Sequence, residues 1–199
     1  MKRTKLMTLT VCLLICTLVF CSCGGSSGPK MEAGDIYLYG EEHSNRECLT
    51  KELELWGELY SEGVRDLFVE LPCYTAEYLN LWMLADLEAA GEKDSDAYKL
   101  AEEVIEQGKT FYEMYANDDP ADTYRENCMA ENFIREYSKI SGATIMGIYG
   151  GASYGWSHVN PELTYDATRY GLDESYSFDS MAKQLAAVFG DKLHCEDLL

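Results

Sequence analysis

The sequence has 199 residues, of which 47% are hydrophobic, and a formal net charge of −19 at pH 7. The length is typical of one domain, and the apolar content argues against an intrinsically disordered chain. Acidic residues outnumber basic ones by 35 to 16. This excess argues against nucleic acid binding and against electrostatic docking on anionic lipid, because both need a basic surface.

The eight cysteines do not follow a zinc or disulfide pattern. Four lie in the N-terminal segment, and four are widely spaced in the rest of the chain without any C-x-x-C pair. These four are Cys48, Cys73, Cys128 and Cys195. The spacing fits neither a zinc cluster nor a small disulfide-rich scaffold.

The N-terminal segment is typical of a secretion signal. Three of its first five residues are basic, and residues 6–21 form an apolar run that only threonines interrupt. The run is about as long as the hydrophobic region of a signal peptide and short for a membrane span. We therefore predict that residues 1–22 are a signal peptide.

Cys23 is the predicted lipidation site. The small Ser22 precedes it and a Gly- and Ser-rich stretch follows, as in bacterial lipoproteins. Cleavage before Cys23 would leave a diacylated cysteine on a flexible tether over residues 23–33. The alternatives are an ordinary secretory signal and a single anchor helix. Each places the predicted domain, residues 34–199, outside the cytoplasm, and the lipoprotein interpretation attaches it to the bacterial cell membrane through the lipid alone.

Strands and helices alternate along the predicted domain. The predicted strands are residues 35–39, 65–70, 143–149 and 192–197. The predicted helices are residues 44–63, 75–90, the stretch from the turn at 91–96 to about 117, 119–139 and 178–189, and residues 150–177 are predicted to be a loop. This order predicts an α/β fold with a small, mainly parallel sheet flanked by helices.

Two helix starts carry capping signals. Ser44 is followed by Glu47 at the spacing of a capping box, which predicts Ser44 as the N-cap of the first helix. Asp119 precedes Pro120, which predicts an aspartate N-cap with proline at the first helical position.

The turn after the first strand holds the strongest site candidates, Glu41, Glu42 and His43. Glu70 ends the second strand in the same way. Ligands collect at the carboxyl ends of the strands in an open α/β sheet. If the two strands are neighbours, Glu70 and His43 can meet there. A carboxylate with an imidazole binds a divalent metal or moves a proton of a water. The alternative is that the two loop acids and His43 are solvated and that an arginine ion pair satisfies Glu70.

Several short motifs follow one another in a fixed order. They are Gly-x-x-His at 40–43, Val-Glu-Leu at 69–71, Arg-Glu-Asn-Cys-Met-Ala at 125–130, Ile-Met-Gly-Ile-Tyr-Gly-Gly-Ala-Ser at 145–153, Met-Ala-Lys-Gln-Leu at 181–185 and Gly-Asp at 190–191. Over residues 35–198 this order resembles the superfamily of erythromycin esterases, ChaN-like proteins and TraB/TIKI proteins. The resemblance implies an α/β domain whose cleft gathers His43, Glu70, Arg125 and a second histidine. It also implies hydrolysis in several branches, metal-dependent in TIKI-like proteases, and haem binding in ChaN-like proteins.

The chain departs from this pattern at Ser153, where the resemblance implies the second histidine. A serine hydroxyl is a weak neutral ligand and no base near pH 7. His158, five residues further on, is a candidate to replace the imidazole and a weaker candidate for a metal ligand. Ser153 also fits Gly-x-Ser-x-Gly over residues 151–155 as a nucleophile, but that motif needs a helix to follow, and a loop is predicted there.

The sequence therefore predicts a hydrolase on an extracytoplasmic lipoprotein, esterase-like or metallopeptidase-like, with a small-molecule or peptide substrate. The predicted catalytic residues are His43, Glu70, Arg125, Glu42 and Ser153. Water would be activated by His43 and Glu70, with or without a divalent metal on these two side chains, and Arg125 would orient the substrate or its oxyanion. The alternatives are a non-catalytic lipoprotein that binds haem or another small molecule, and a partner-binding surface domain.

Overall fold

The computed structural model describes residues 32–71, 73–140, 142–151 and 156–198. The predicted signal peptide, Cys23 and Ser153 lie outside these residues. No helix in the described ranges is both long enough and apolar enough to cross a membrane. Residues from Glu32 onward form one compact unit.

The described chain contains six strands and five α-helices. The strands are β1 (Ile36–Glu41), β2 (Asp66–Val69), β3 (Ile145–Gly150), β4 (Thr164–Tyr165), β5 (Phe178–Asp179) and β6 (Leu193–Asp197). The helices are α1 (Arg46–Ser61), α2 (Cys73–Ala89), α3 (Asp96–Ala116), α4 (Ala121–Lys139) and α5 (Met181–Phe189).

Four strands form one sheet in the order β2-β3-β1-β6, and every neighbouring pair is parallel. The predicted α/β class with a small, mainly parallel sheet is confirmed. Because the strands run in one direction, their carboxyl ends share one edge, where Glu41 of β1 is paired with Gly150 of β3. β2 is the outer strand on one side, and its Leu67 and Val69 are exposed. β4 and β5 form a separate antiparallel pair.

The core lies between the sheet and helices α4 and α5. Strand β1 is a continuous apolar run and is buried along almost its whole length, as expected for a central parallel strand. Phe133 and Tyr137 of α4 and Met181 and Leu185 of α5 complete this core. Three further residues of α4, Tyr124, Cys128 and Met129, are half-buried and line a cavity beside this core.

The predicted start of α1 is wrong by one residue. Asn45, not Ser44, is the N-cap, because its side-chain oxygen accepts hydrogen bonds from the backbone N–H groups of Glu47 at 2.9 Å and Cys48 at 3.4 Å. Ser44 has a φ of 69°, in the left-handed region, so its backbone turns the chain before the helix.

The predicted caps and bounds of two later helices also change. Pro120 occupies the N-cap position of α4 and no side chain caps this end, so Asp119 is not the cap. α5 begins only at Met181, because the Ser180 hydroxyl accepts the N–H of Lys183 at 3.1 Å. Residues 178–179, predicted as helix, pair instead with β4, which lies inside the predicted loop.

Two glycines bring the ends of β1 and β3 together. The N–H of Gly151 donates to the carbonyl of Glu41 at 2.6 Å. A Cβ on Gly151 would lie 2.8 Å from the backbone carbon of Gly40, closer than real Cβ atoms come. Only glycine allows the chain leaving β3 to lie this close to β1, and this contact fixes the position of Gly150.

Candidate functional site

Glu70 follows β2 directly and its side chain is 7% exposed. Its Oε1 atom pairs with the guanidinium of Arg125 from α4, and its Oε2 accepts the N–H of Gly150 at 2.8 Å. Burial raises the pKa of Glu70, but the charges of His158 and Arg125 and the Gly150 hydrogen bond outweigh it and leave the pKa below its ordinary value. Glu70 is therefore an ionised, fully engaged carboxylate at neutral pH.

His158 lies beside Glu70 in the interior. Its Nε2 atom is 4.0 Å from Oε1 of Glu70, and its Nδ1 contacts a carboxylate oxygen of Glu126. Glu126 is 2% exposed, and its other oxygen accepts the N–H of Met181 at 2.7 Å. The first turn of α5 thus holds Glu126, and Glu126 holds the imidazole. The charged Glu126 oxygen outweighs the indole N–H of Trp156, which lies 3.4 Å from the same nitrogen, and favours the tautomer with the proton on Nδ1 and a lone pair on Nε2.

His43 approaches the same point from the turn after β1. Its Nδ1 atom is 3.0 Å from a carboxylate oxygen of Glu41, and its side chain is 59% exposed. Like His158, it therefore has a carboxylate at Nδ1 and leaves Nε2 for other contacts. An imidazole oriented by a carboxylate is typical of general acid–base groups and of metal ligands.

The three side chains converge on Gly150. A Cβ built on Gly150 would lie 3.2 Å from Oε2 of Glu70, 3.4 Å from Nε2 of His43 and 3.1 Å from Cδ2 of His158, the carbon bonded to its Nε2. The absence of a side chain at Gly150 leaves a space that all three groups face. We call His43, Glu70 and His158 around this space the Gly150 cleft.

Glu41 and Glu52 form an acidic pair next to His43. Glu52 of α1 is 6% exposed, and its Oε1 atom has no hydrogen-bond partner among the residues that the structure describes. Burial, a hydrogen bond with Glu41 and the charge of Glu41 raise the pKa of Glu52 to about 7. Glu41 therefore lies between a buried carboxyl that retains its proton and an imidazole of the cleft.

The structure places His43 and Glu70 on either side of Gly150, although β3 lies between β1 and β2 and the two strands are not neighbours. Arg125 pairs with Glu70, and His158, the candidate for the missing imidazole, lies beside them. Glu42 does not join them: it is exposed and accepts a hydrogen bond from the side-chain amide of Asn45 at 2.6 Å. Ser153, as a nucleophile or as the residue in place of a second histidine, lies outside the described residues.

Sequence reasoning did not assign a role to Glu126. The signal was present, because residues 126, 130, 133 and 137 have the spacing of one helix face and the other three are apolar. An acid on a buried apolar face needs a polar partner inside the protein. That requirement would have indicated a buried imidazole or cation opposite Glu126.

The divalent metal predicted on His43 and Glu70 stays a prediction. In the described part of the chain, no group of three His, Cys, Asp or Glu side chains is placed to hold a metal ion. Both oxygens of Glu70 are already used by Arg125 and Gly150. Each of these oxygens has a second lone pair, so the two contacts leave room for a further ligand, but we derive no step through a metal. Haem binding stays a prediction.

Two cavities flank Arg125. The first, of about 370 Å³, lies among β2, α2, α3 and α4, and we call it the apolar cavity. Its wall includes Phe68, Val104, Phe111, Met129, Phe133 and, at one side, Glu70 with Arg125. The second, of about 680 Å³, is the aromatic cleft, whose wall includes Trp156, Tyr165, Tyr176, Phe178, Glu126 and His158. Arg125 lines both.

Comparison with known proteins assigns no family to this chain. No protein-family model matches it, and neither the curated proteins nor the solved structures give a significant match. The resemblance to the erythromycin esterase, ChaN-like and TraB/TIKI superfamily therefore rests on the motifs alone. The geometry of the Gly150 cleft is therefore the basis for assigning a function to this chain.

Proposed function

We propose that this chain is an extracytoplasmic, lipid-anchored hydrolase of ester or amide bonds that activates water in the Gly150 cleft. One observation carries the proposal: the imidazoles of His43 and His158 each have a carboxylate at Nδ1, and both border the space beside Gly150 together with Glu70. Two oriented imidazoles and a carboxylate supply the base, the acid and the water-holding group of a metal-free hydrolysis.

His158 is the proposed general base. Glu126 holds its Nδ1 proton, which leaves the Nε2 lone pair to take a proton from water. The 4.0 Å between Nε2 and Oε1 of Glu70 suits a water that donates one hydrogen bond to each. Because the pKa of Glu70 is lowered, Glu70 stays ionised and positions the water without taking its proton.

Arg125 and His43 complete the proposed reaction. The hydroxide formed as His158 takes the proton attacks the carbonyl carbon, and the negative charge moves to the carbonyl oxygen. Arg125 is one-third exposed, and among the described residues it donates to Glu70 through a single nitrogen, so its other N–H groups can stabilise this oxyanion. His43, at the exposed side, gives a proton to the leaving group as the carbon–oxygen or carbon–nitrogen bond breaks.

The test compares one histidine of the cleft with one outside it. Asparagine at position 158 retains a donor for Glu126 and removes Nε2, so we expect His158→Asn to reduce hydrolysis of p-nitrophenyl acetate about 10²–10⁴-fold. His194→Asn is the matched control, because His194 pairs with Tyr37 near the opposite end of the sheet and stacks on its ring at 4.9 Å. Equal rates for both variants and the parent protein would refute the role of His158.

Gly150→Ala tests the space itself. Its methyl group would occupy the position within 3.1–3.4 Å of the three side chains, so we expect a comparable loss of turnover with the fold retained by circular dichroism. Gly57→Ala, on the exposed side of α1 with no atom within 4 Å of the added carbon, is the control. A parent protein that hydrolyses neither an ester nor an amide but binds haem would favour the non-catalytic alternative.

A further inference from the structure

The apolar cavity has the size and walls of a ligand pocket. Its volume of about 370 Å³ lies within the usual range of about 300–1,000 Å³ for small-molecule sites. Phe68 of β2, Phe111 of α3 and Met129 of α4 contribute apolar surface from three different elements. A cavity of about 150 Å³ holds benzene, so this one has room for a chain of about ten carbons.

The polar side chains in one part of its wall satisfy each other. The side-chain amide of Asn132 donates to the carbonyl of Gln107 at 2.8 Å, and that of Gln107 donates back at 3.4 Å. Arg135 also donates to Asn132, at 2.8 Å. Because these groups are already paired, this wall offers a ligand little hydrogen bonding, which favours an apolar occupant.

The apolar cavity and the reaction site share two side chains, Glu70 and Arg125. Glu70 and Arg125 belong to its wall, and Arg125 also lines the aromatic cleft, where His158 and Glu126 lie. A carbonyl group at the free N–H groups of Arg125 would therefore have His158 on one side and the apolar cavity on the other. The part of the substrate attached to that carbonyl carbon extends into the cavity.

We propose that the substrate is an ester or amide with an unbranched apolar acyl chain of about ten carbons or fewer, which the apolar cavity binds while Arg125 holds the carbonyl. The reaction part of this inference rests on the proposed hydrolase function. Occupation of the apolar cavity by an acyl chain does not rest on that function, because it depends only on the residues of the cavity wall and on Arg125.

Gly108 offers a variant that fills the cavity without touching the cleft. It lies on α3 in the cavity wall, and a Cβ added there meets no atom within 4 Å. Gly108→Phe would thus place a ring in the space meant for the acyl chain. Gly57→Phe is the matched control, because Gly57 is also a helical glycine with open space around it, but on the exposed side of α1.

The first readout is kinetic and uses the full-length chain in lipid nanodiscs. Each buried methylene contributes up to about 0.8 kcal/mol, so kcat/KM should rise at least about 100-fold from p-nitrophenyl acetate to the decanoate. In Gly108→Phe the ratio of kcat/KM for the decanoate to kcat/KM for the acetate should fall at least about tenfold. In Gly57→Phe this ratio should equal that of the parent protein. Hydrolysis with equal kcat/KM for all chain lengths overturns the inference and leaves the proposed function standing.

The second readout does not need turnover. A diazirine-bearing decanoic acid is photo-crosslinked to the same protein and the labelled peptides are mapped by mass spectrometry. We expect labels in α3 and α4, near Phe111 and Met129, in the parent and in Gly57→Phe but not in Gly108→Phe. Labelling without hydrolysis of any ester supports the acyl site and refutes the hydrolase, whereas labels that are unchanged in Gly108→Phe refute the acyl site.

Discussion

Replacing Glu52 by glutamine should stabilise the protein increasingly as the pH rises above about 4.5, with the full gain reached just above pH 7. Glu52 is almost fully buried against Glu41, and its pKa is raised from 4.5 to about 7. Folding therefore favours the protonated carboxyl. Above pH 7 the wild-type protein must either ionise this group inside the fold or retain an unfavourable proton, and the pKa difference corresponds to at most about 3 kcal/mol of lost stability.

The direction in which stability changes with pH follows from the number of protons bound in the folded and unfolded states. Between about pH 4.5 and pH 7 the folded protein retains a proton on Glu52 that the unfolded chain has lost. Stability contributed by this group therefore falls as the pH rises through that interval and is constant above it. Glutamine stays neutral at every pH and still offers a donor to Glu41, so its free energy of unfolding lacks this decline.

Urea unfolding at pH 5 and pH 8 measures the effect. The gain in unfolding free energy of Glu52→Gln over the parent should be about 2–3 kcal/mol larger at pH 8 than at pH 5. Glu54→Gln is the matched control, because Glu54 is exposed on the same helix, and it should show no such change. A gain of equal size at both pH values, or no gain at pH 8, would refute the raised pKa as its cause.

Two further predictions concern the helix cap and the anchor. Asn45→Ala should lower the free energy of unfolding by about 1 kcal/mol in thermal or urea melts, whereas Ser44→Ala should change it by less than about 0.5 kcal/mol. Cys23→Ser should move the protein from the membrane to the soluble fraction of a cell and abolish palmitate labelling, whereas Cys21→Ser should do neither. The reverse result for either pair would place the cap or the lipid on the other residue.

The sheet was predictable because central parallel strands, buried on both faces, have continuous apolar sequences. Residues 35–39 and 143–149 stand out for this reason, and each became a buried strand. The exact helix start was not predictable in the same way. Ser44 and Asn45 are both good caps, and the choice depends on the left-handed turn at Ser44, which local sequence does not dictate.

Two of the three side chains of the Gly150 cleft were predictable from their positions along the chain. His43 and Glu70 follow strands directly, so a parallel sheet puts them on one edge. His158 lies in a long segment without periodicity, and only tertiary contacts place it: its N–H donates to the Gly150 carbonyl at 3.1 Å, and its carbonyl accepts the N–H of Ala182 at 2.9 Å. Glu126 acquires its role only once His158 is in place.

Because the outer strand β2 is exposed, the net negative charge of the chain also affects whether copies of the protein associate. A strand at the margin of a sheet, with apolar side chains such as Leu67 and Val69 exposed, is a template on which a second copy can add its own strand. At pH 7 the formal charge of −19 makes copies repel one another and opposes this association. Near the sequence pI of about 4.4 the repulsion disappears, so colloidal stability, rather than the fold, sets the acid limit at which the protein stays monodisperse.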